Sequence, residues 1–162
     1  MIREMTEKDV NDVLLLTAAQ SHEDQMHSGG DEDFDIFLRR WQEMGIVTEY
    51  KGEIVHLVDK RDGQIVGYCS LTIGTDGETV TGELSGMYVR PDYGRRGIAL
   101  ALLERITEVA REKSIEVIFA WTRQEATAAK ALYERAGFEE NVHPVYYRIV
   151  KEPGTDVELK AE

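Results

Sequence analysis

The sequence lacks the features that mark disulfide scaffolds, metalloproteins and membrane proteins. Its 162 residues include a single cysteine, Cys69, which excludes an internal disulfide bond and a cysteine-based zinc cluster. The four histidines show no metal-ligand spacing, so we expect no metal site. No apolar run is long enough to span a bilayer, and the residues after Met1 lack the apolar core of a signal peptide. We therefore expect a cytoplasmic protein.

The chain also has fewer basic residues than acidic residues. The chain carries 19 lysines and arginines against 31 acidic residues, which gives a formal net charge of −12 and a sequence pI near 4.8. Such a field repels nucleic acid and anionic membranes, and it favours cationic small molecules. The alternative is that the acidity serves solubility alone. We therefore expect neither a nucleic-acid partner nor a membrane partner.

The first third of the chain predicts two helices. Thr6 is a candidate N-cap, and apolar residues at helical spacing after it predict a helix over about residues 7–20. The polar segment Ser21–Asp33 predicts a loop. Phe37 and Trp41 lie on the apolar face of a second helical pattern, and we expect both side chains in the core.

Strands fill the middle of the chain. Apolar segments at residues 53–60, 65–73 and 79–89 are separated by polar turns, the first of which contains Asp62-Gly63. An Asp-Gly pair between two strand-like segments is typical of a hairpin. These segments therefore predict an antiparallel meander.

The second half of the chain alternates helices and strands. Apolar residues on one face predict a helix over residues 97–113. The continuous apolar run 115–121 predicts a strand buried on both faces, with Trp121 in the core. A strand, a helix and a strand in this order imply a right-handed crossover between two parallel strands. A helix over 125–135, with Gly137 as its candidate C-cap, and a last strand over 145–150 follow.

Together these elements predict one α/β domain, of the α+β type, over residues 1–152. Its sheet should be mixed and mostly antiparallel, with helices on both faces. Residues 153–162 are polar, and we expect them to form a C-terminal tail. The sequence leaves open whether the chain acts as a monomer or as a homodimer.

A glycine- and arginine-rich loop links the third predicted strand directly to a helix. The first turn of a helix has unpaired N–H groups and the positive end of the helix dipole, so this loop can hold a phosphate or a pyrophosphate. Its glycines allow close approach to the backbone, its arginines add donors, and a small alanine keeps the first turn open. The candidate phosphate-binding residues are Gly94, Arg95, Arg96, Gly97, Ile98 and Ala99.

Two familiar phosphate motifs do not fit this loop. A Walker loop needs a lysine followed by serine or threonine after its last glycine, and here Ile98-Ala99 follows Gly97. The dinucleotide fingerprint needs three glycines in a GxGxxG frame after the first strand, and that frame is absent. Both classes of nucleotide-binding protein are therefore excluded.

The loop resembles the signature of the GNAT family of N-acetyltransferases, Gln/Arg-x-x-Gly-x-Gly/Ala. Gly97 and Ala99 fill its last two positions, while Gly94 stands at the first position with Arg95 one residue later. The resemblance implies that backbone amides of the loop hold the pyrophosphate of acetyl-CoA. It also implies that the preceding strand pairs with the pantetheine arm like an added strand, through Met87, Tyr88 and Val89.

A second block, residues 126–138, is similar to the family's Asn-x-x-Ala-x-x-Leu-Tyr-x-x-x-Gly-Phe. The matching residues are Ala129, Leu132, Tyr133, Gly137 and Phe138. Ala126 stands where asparagine is usual, so one contact to the cofactor is missing. The resemblance implies that Ala126, Ala129 and Tyr133 lie beside the cofactor. Lys130 could meet its 3′-phosphate, or it could be a solvated helix lysine.

The resemblance also implies two catalytic roles. Tyr133 would donate a proton to the departing thiolate, and the alternative is a tyrosine that only packs its ring in the core. Glu83 would accept the proton of the amine, directly or through water, because a lysine-type amine is protonated below a pKa near 10.4. The alternative for Glu83 is an exposed strand-end acid.

The implied function is transfer of an acetyl group from acetyl-CoA to a primary amine of a small molecule or peptide, by direct attack on the thioester and without a metal. Two parallel strands, about residues 83–89 and 115–121, should splay to admit the pantetheine arm. A non-catalytic acyl-CoA-binding module and a purely structural domain are the alternatives. Acidic residues in 23–35 would attract a polyamine, an aminoglycoside or a basic peptide, or they would simply cap a helix.

Overall fold

The computed structural model describes residues 1–45, 49–50, 52–122, 126–140 and 145–150. Within these ranges, the strands are β1 (Ile2–Glu4), β2 (Glu49–Tyr50), β3 (Gly52–Arg61), β4 (Gln64–Thr75), β5 (Val80–Val89), β6 (Val117–Trp121), β7 (Glu139–Glu140) and β8 (Val145–Ile149). The helices are α1 (Val10–His27), α2 (Phe34–Met44), α3 (Ile98–Glu112) and α4 (Thr127–Arg135). Single 3₁₀ turns, Glu7–Asp9 and Pro91–Tyr93, stand before α1 and between β5 and α3.

The strands form one mixed sheet in the order β1-β3-β4-β5-β6-β8-β7, with β2 paired to β3. Its neighbouring strands pair antiparallel except for β5 and β6, which are parallel. Helix α3 connects these two strands, as the strand–helix–strand pattern predicts. The expected mixed, mostly antiparallel sheet is confirmed.

Two cores lie on opposite faces of the sheet, because alternate residues of a strand point to opposite sides. The larger core contains α3 and α4, and Leu102 and Ile106 are fully buried in it. The smaller core contains α1, where Val13 packs with Val58 and Tyr68. Helices therefore cover both faces, as predicted.

A buried carboxylate ties β1 to the start of α1. Asp9 accepts hydrogen bonds from the Thr6 amide at 2.8 Å and the Thr6 hydroxyl at 2.9 Å, and from Arg3 Nη1 at 2.6 Å and Nη2 at 2.9 Å. The Arg3 guanidinium holds the pKa of the Asp9 carboxyl well below its usual range. The first strand and the first helix are therefore held in a fixed relation.

The first helix is longer than its sequence pattern predicts. Helix α1 continues through residues 21–27, which we expected to form a loop. That segment is polar but contains neither glycine nor proline, so no residue in it breaks the helix. The His22 ring also packs edge-on against Phe34 and Phe37 of α2, at a centroid distance of 5.2 Å from each. Contacts between the two helices thus stabilise the additional turns.

Strand β6 is buried on one face only, whereas its apolar run predicted burial on both. Ile118 and Ala120 are fully buried in the core that contains α3 and α4. Trp121 is 59% exposed, so the prediction that it lies in the core is wrong. The physical reason is that α1 packs against α2, β4 and β5, and β6 lies beyond the region that it covers.

Some sequence predictions fall outside the described residues. The polar tail 153–162 does so, and the first residue of the predicted fourth helix, Glu125, does so as well. The boundary of the domain at residue 152 therefore stays a prediction. In the described part of the chain, no helix is both long enough and apolar enough to cross a membrane.

Candidate functional site

The loop between β5 and α3 ends in a glycine with a left-handed backbone. Gly97 directly precedes α3 with a φ of 75°, and apart from Gly97 and its two chain neighbours no described residue has an atom within 4 Å of the position that its Cβ would take. Among the described residues, none accepts a hydrogen bond from the amides of Gly97, Ile98 or Ala99. The start of α3 therefore offers free N–H groups to an anion.

The side chains of this loop form an arginine-rich edge. Arg96 lies over the Tyr93 ring, with its Cζ 4.7 Å from the ring centroid, and Arg95 is exposed with a φ of 61°. Gly94 has a φ of −60°, which any residue adopts, but a Cβ there would lie 3.2 Å from the Pro91 carbonyl oxygen. Gly94 is therefore explained by the turn itself, and no ligand is needed to account for it.

This geometry fits the pyrophosphate of acetyl-CoA. A pyrophosphate needs several donors on one side, and the free amides and the dipole at the start of α3 supply them. Arg95 and Arg96 add charged donors at exposed positions beside these amides. The open space at Gly97 leaves room for phosphate oxygens to reach the backbone.

Strands β5 and β6 separate beside this loop. Their parallel register runs from Thr81 opposite Val117 to Leu84 opposite Ala120, and β5 then continues to Val89 without a described partner on that side. The pairing of β5 with β4 is also irregular after Leu84. The expected splay is confirmed, and it leaves a backbone edge facing the gap at Met87, Tyr88 and Val89.

A cleft of about 550 Å³ lies on the face of the sheet that carries α1, and Glu83 lines it. We name it the Glu83 cleft. Its wall contains hydroxyl groups, of which Thr72 Oγ1 and Ser85 Oγ lie 2.7 Å apart. Much of the remaining wall is apolar or aromatic, including Val13, Leu14, Trp41, Ile54 and Tyr88. Of the described residues that line the cleft, Glu83 is the only acid.

The sequence did not predict that His56 and Tyr68 line this cleft. Nδ1 of His56 lies 2.8 Å from the Tyr68 hydroxyl oxygen, and the two rings are stacked. Burial raises the pKa of the Tyr68 hydroxyl to about 12, so this group stays protonated at neutral pH. The sequence signal that could have indicated this polar face is the alternation of side chains along a strand. Residues at every second position share one face of a sheet, as Ser70 and Thr72 do here.

Trp41 lies in the wall of the Glu83 cleft, whereas the sequence pattern predicted a core position. Its Nε1 donates a hydrogen bond to Thr17 Oγ1 at 2.9 Å, which holds the indole of α2 against α1. Phe37, on the same helix face, is buried as predicted. Trp41 is therefore a candidate contact for an acceptor molecule.

The acidic residues around the start of α2 do not line the Glu83 cleft. The Asp33 side chain accepts a hydrogen bond from the Asp35 amide at 3.0 Å and so caps α2. Glu32 forms an ion pair with Arg40 at 2.7 Å. These contacts favour helix capping over attraction of a polycation as the role of this segment.

Tyr133 lies on the other face of the sheet, in the core beside α3. Its ring is 7% exposed and packs against Phe138 and Tyr146 at centroid distances of 5.5 and 5.6 Å. Burial raises the pKa of its hydroxyl, and the nearby thiol of Cys69 adds to this effect. Because Glu83 and Tyr133 lie on opposite faces, they can serve one reacting centre only across the gap between β5 and β6.

The end of α4 explains the Gly-Phe pair of the second motif. Gly137 has a φ of 84°, and its amide donates to the Glu134 carbonyl at 3.1 Å. The Phe138 amide donates to the Tyr133 carbonyl at 2.9 Å, which completes a Schellman cap. The motif therefore fixes the backbone and the ring of Tyr133 from the same side.

The remaining predicted cofactor-side residues also lie on or beside α4. Ala126 directly precedes the helix and provides no side-chain cap, and Ala129 packs against the larger core. Lys130 is partly exposed one turn before Tyr133. Their contact with a cofactor stays a prediction.

The described residues show neither a reactive cysteine nor a cluster of metal ligands. Cys69 is fully buried, and burial raises the pKa of its thiol to about 12, which makes it a poor nucleophile. No three histidine, cysteine, aspartate or glutamate side chains of these ranges come together in a metal-binding group.

Fold and loop together define a class of protein, an α/β domain that has, in the part the structure describes, one parallel strand pair and a glycine-rich loop that leaves amides free at the start of the crossover helix. Sequence comparison identifies the class: the profile of the acetyltransferase (GNAT) family matches residues 15–138. The chain belongs to the GNAT family of acetyltransferases. It is an acyltransferase that uses acetyl-CoA as its co-substrate.

Similar proteins differ in their acceptors. The chain is 31% identical over 105 residues to an aminoglycoside N(6')-acetyltransferase of Stenotrophomonas maltophilia, covering 61% of this chain and 68% of the relative. It is 30% identical over 133 residues to a mycothiol acetyltransferase of a Parafrankia species, covering 81% of this chain but 37% of that longer protein. The PaiA N-acetyltransferase of Thermoplasma acidophilum, solved with coenzyme A, shares the fold with a TM-score of 0.75 at 16% identity, over 92% of this chain and 98% of that one.

Proposed function

We propose that this protein transfers the acetyl group of acetyl-CoA to a primary amine of a small molecule or peptide, by direct attack of the amine on the thioester. The observation that carries the proposal is the gap between β5 and β6. The free amides at the start of α3 lie beside this gap. Glu83 pairs with Phe119, and β6 ends two residues later at Trp121. A thioester in the gap would be open to an amine that enters from the Glu83 cleft.

Bound acetyl-CoA would supply the thioester carbonyl, and the side chains of this chain would move the protons. Glu83 would accept a proton from the acceptor ammonium, either directly or through water, so that the amine nitrogen carries a free electron pair. As the new C–N bond forms and the C–S bond breaks, the nitrogen would lose its second proton to water, and the Tyr133 hydroxyl would give its proton to the leaving thiolate and regain one from water. Burial raises the pKa of the Tyr133 hydroxyl, which keeps it protonated but makes it a weaker acid toward a thiolate, so the role is supported by the place of Tyr133 in the second motif and not by its pKa.

The relatives support an amine acceptor but differ in its kind. One is named for an aminoglycoside, and another, from Escherichia coli and 26% identical over 100 residues, is named for the alanine of ribosomal protein bS18. Both names describe acetylation of an amine. The composition and the single buried cysteine support a cytoplasmic location.

The direct test is release of free thiol from acetyl-CoA with a panel of primary amines, followed by mass spectrometry of the acetylated product. We expect release that depends on both substrates. Calorimetry with acetyl-CoA alone separates the remaining outcomes. Binding of acetyl-CoA without thiol release for any amine would instead support a non-catalytic binding module, for which the departures at Gly94 and Ala126 are the sequence argument.

A further inference from the structure

One row of side chains crosses the sheet beyond the Glu83 cleft. The register places Thr72 of β4 beside Glu83 of β5, Glu83 beside Phe119 of β6, and Phe119 beside Tyr147 of β8. Residues paired in this way share one face of a sheet, and neighbouring strands lie about 4.8 Å apart. Phe119 therefore lies about one strand spacing from Glu83, and Tyr147 lies about two strand spacings from it.

Helices leave this part of the sheet open in the described structure. On the opposite face, Ile118, Ala120 and Tyr146 are fully buried in the larger core. On the row's own face, α1 packs against β4 and β5, and Trp121 at the end of β6 is 59% exposed. We name Phe119, Trp121 and Tyr147 the aromatic strip.

We propose that the aromatic strip binds the apolar body of the acceptor while Glu83 holds its ammonium group, so that the acceptor class is a primary amine with an aromatic or branched aliphatic body. This inference rests on the proposed function. The strip is continuous with the Glu83 cleft through the Glu83–Phe119 pair, so an amine at Glu83 has its substituents next to these rings. Aromatic ring faces attract both apolar groups and nearby cations.

The composition of the cleft argues for one cationic group instead of several. Glu83 is the only acid among its described lining residues, and Val13, Leu14 and Ile54 add apolar surface. A polycation would leave further ammonium groups beside this apolar wall without partners, which is unfavourable. Binding of an amine with a single charge and an apolar body satisfies both the carboxylate and the rings.

The test compares three acceptors: 2-phenylethylamine, ethylamine (the same amine without its ring) and spermidine. We expect kcat/KM for 2-phenylethylamine to exceed that for ethylamine by at least tenfold, and to exceed that for spermidine. Phe119→Ala should reduce the phenylethylamine-to-ethylamine ratio by about tenfold, the value of roughly 1.4 kcal/mol of selective contact. Phe119→Leu should restore part of the ratio, whereas a purely structural role of the ring would lower kcat/KM for both monoamines alike and leave their ratio unchanged.

The control is Ile36→Ala, which removes an apolar side chain outside the strip, on α2, that is 58% exposed and so comparable to Trp121 at 59%. This variant should leave the ratio unchanged. Equal kcat/KM values for the two monoamines, or a ratio that Phe119→Ala does not alter, would overturn the inference and leave the proposed function intact. A shift from dimer to monomer in Phe119→Ala by sedimentation, with an unaltered ratio, would show that the strip contacts a second copy and would also overturn it.

If no amine gives thiol release, the proposed function fails, and calorimetry tests the strip by itself. Titration of 2-phenylethylamine into the protein with bound coenzyme A should show binding that Phe119→Ala weakens about tenfold. Absence of binding, or equal binding to both proteins, would overturn the inference.

Discussion

In the proposed reaction, two polar side chains act at the gap between β5 and β6. Glu83 is exposed in the cleft on the α1 face, while Tyr133 is 7% exposed in the core on the α3 face. Exposure lets a carboxylate exchange a proton with solvent, whereas burial keeps a tyrosine hydroxyl protonated and makes it a weaker acid. The two residues therefore need separate experiments.

Tyr133→Phe should lower kcat on the order of 10²-fold and leave acetyl-CoA affinity nearly unchanged. The phenyl ring keeps its packing against Phe138 and Tyr146 and loses only the proton donor. Steady-state kinetics and calorimetry with acetyl-CoA provide the two measurements. Tyr146→Phe, in the same ring cluster, is the control for loss of a buried hydroxyl. Full kcat in Tyr133→Phe would show that the thiolate leaves without help from this residue.

Glu83→Gln should remove the acidic limb from the pH profile of kcat/KM. In the native protein the base is protonated at low pH and cannot accept the proton of the amine, so kcat/KM falls as the pH falls. The amide of glutamine has no such titration and cannot act as the base, so the remaining activity should be low and flat in that range. Glu78→Gln, at an exposed turn, is the charge-matched control. Persistence of the acidic limb in Glu83→Gln would assign the base to another group or to water.

At the scale of secondary-structure elements, both family motifs are helix ends. The first motif places the glycine with left-handed φ, Gly97, immediately before α3, and the second places Gly137 immediately after α4 as the left-handed residue of a Schellman cap. The first cap leaves N–H groups free, and the second satisfies carbonyl groups. The same residue type thus precedes free amides at the start of one helix and satisfies the carbonyl groups at the end of the other.

Gly97→Asp should weaken acetyl-CoA binding by well over tenfold, which is more than about 1.4 kcal/mol. A carboxylate at this position would stand where the amides of α3 attract an anion. Gly97→Asn is the matched control, because asparagine has the same size, tolerates a positive φ and carries no charge. Calorimetry of both variants separates charge from backbone strain. Equal affinities in the aspartate and asparagine variants, with both folded, would exclude the loop as the phosphate site.

At the scale of the whole molecule, long-range contacts position the elements around the gap. Arg3 of β1 and Asp9 at the start of α1 fix the helix on which one wall of the Glu83 cleft is built. The folded protein holds the pKa of Asp9 well below its usual range, because the guanidinium favours the charged carboxylate. The stability from this contact is therefore present above the unfolded pKa of about 3.9 and is lost as the pH falls toward the lower folded pKa.

Asp9→Asn should lower the free energy of unfolding at pH 7 by on the order of 1 kcal/mol, since it removes a charge-assisted contact to Arg3. The difference from the native protein should shrink when unfolding is measured at pH 3. Chemical denaturation at the two pH values gives the comparison. Asp62→Asn, at an exposed turn with a φ of 49° that asparagine also tolerates, is the control. A difference that grows toward pH 3 would contradict the assigned direction of the pKa shift.

The sequence predicted every helix and each of the long strands, because each carries its own periodicity and its own turn residues. It also predicted the loop at Gly97 and the cap at Gly137, since both positions have a positive φ, which glycine adopts more readily than other residues. It missed the last turns of α1, which depend on the contact of His22 with Phe34 and Phe37. That contact joins two helices, and no local pattern contains it.

The sequence by itself determined the family, the elements and the place of the glycine-rich loop, because these depend on residues that are close along the chain. Only the tertiary structure decided which apolar faces are covered. Trp41 and Trp121 both occupy apolar positions in their elements, yet one lines the Glu83 cleft and the other is largely exposed. Periodicity shows which face of an element is apolar, whereas its neighbour in space depends on strands and helices that are far apart in the sequence. The cleft, the gap and the aromatic strip exist only where those distant elements meet.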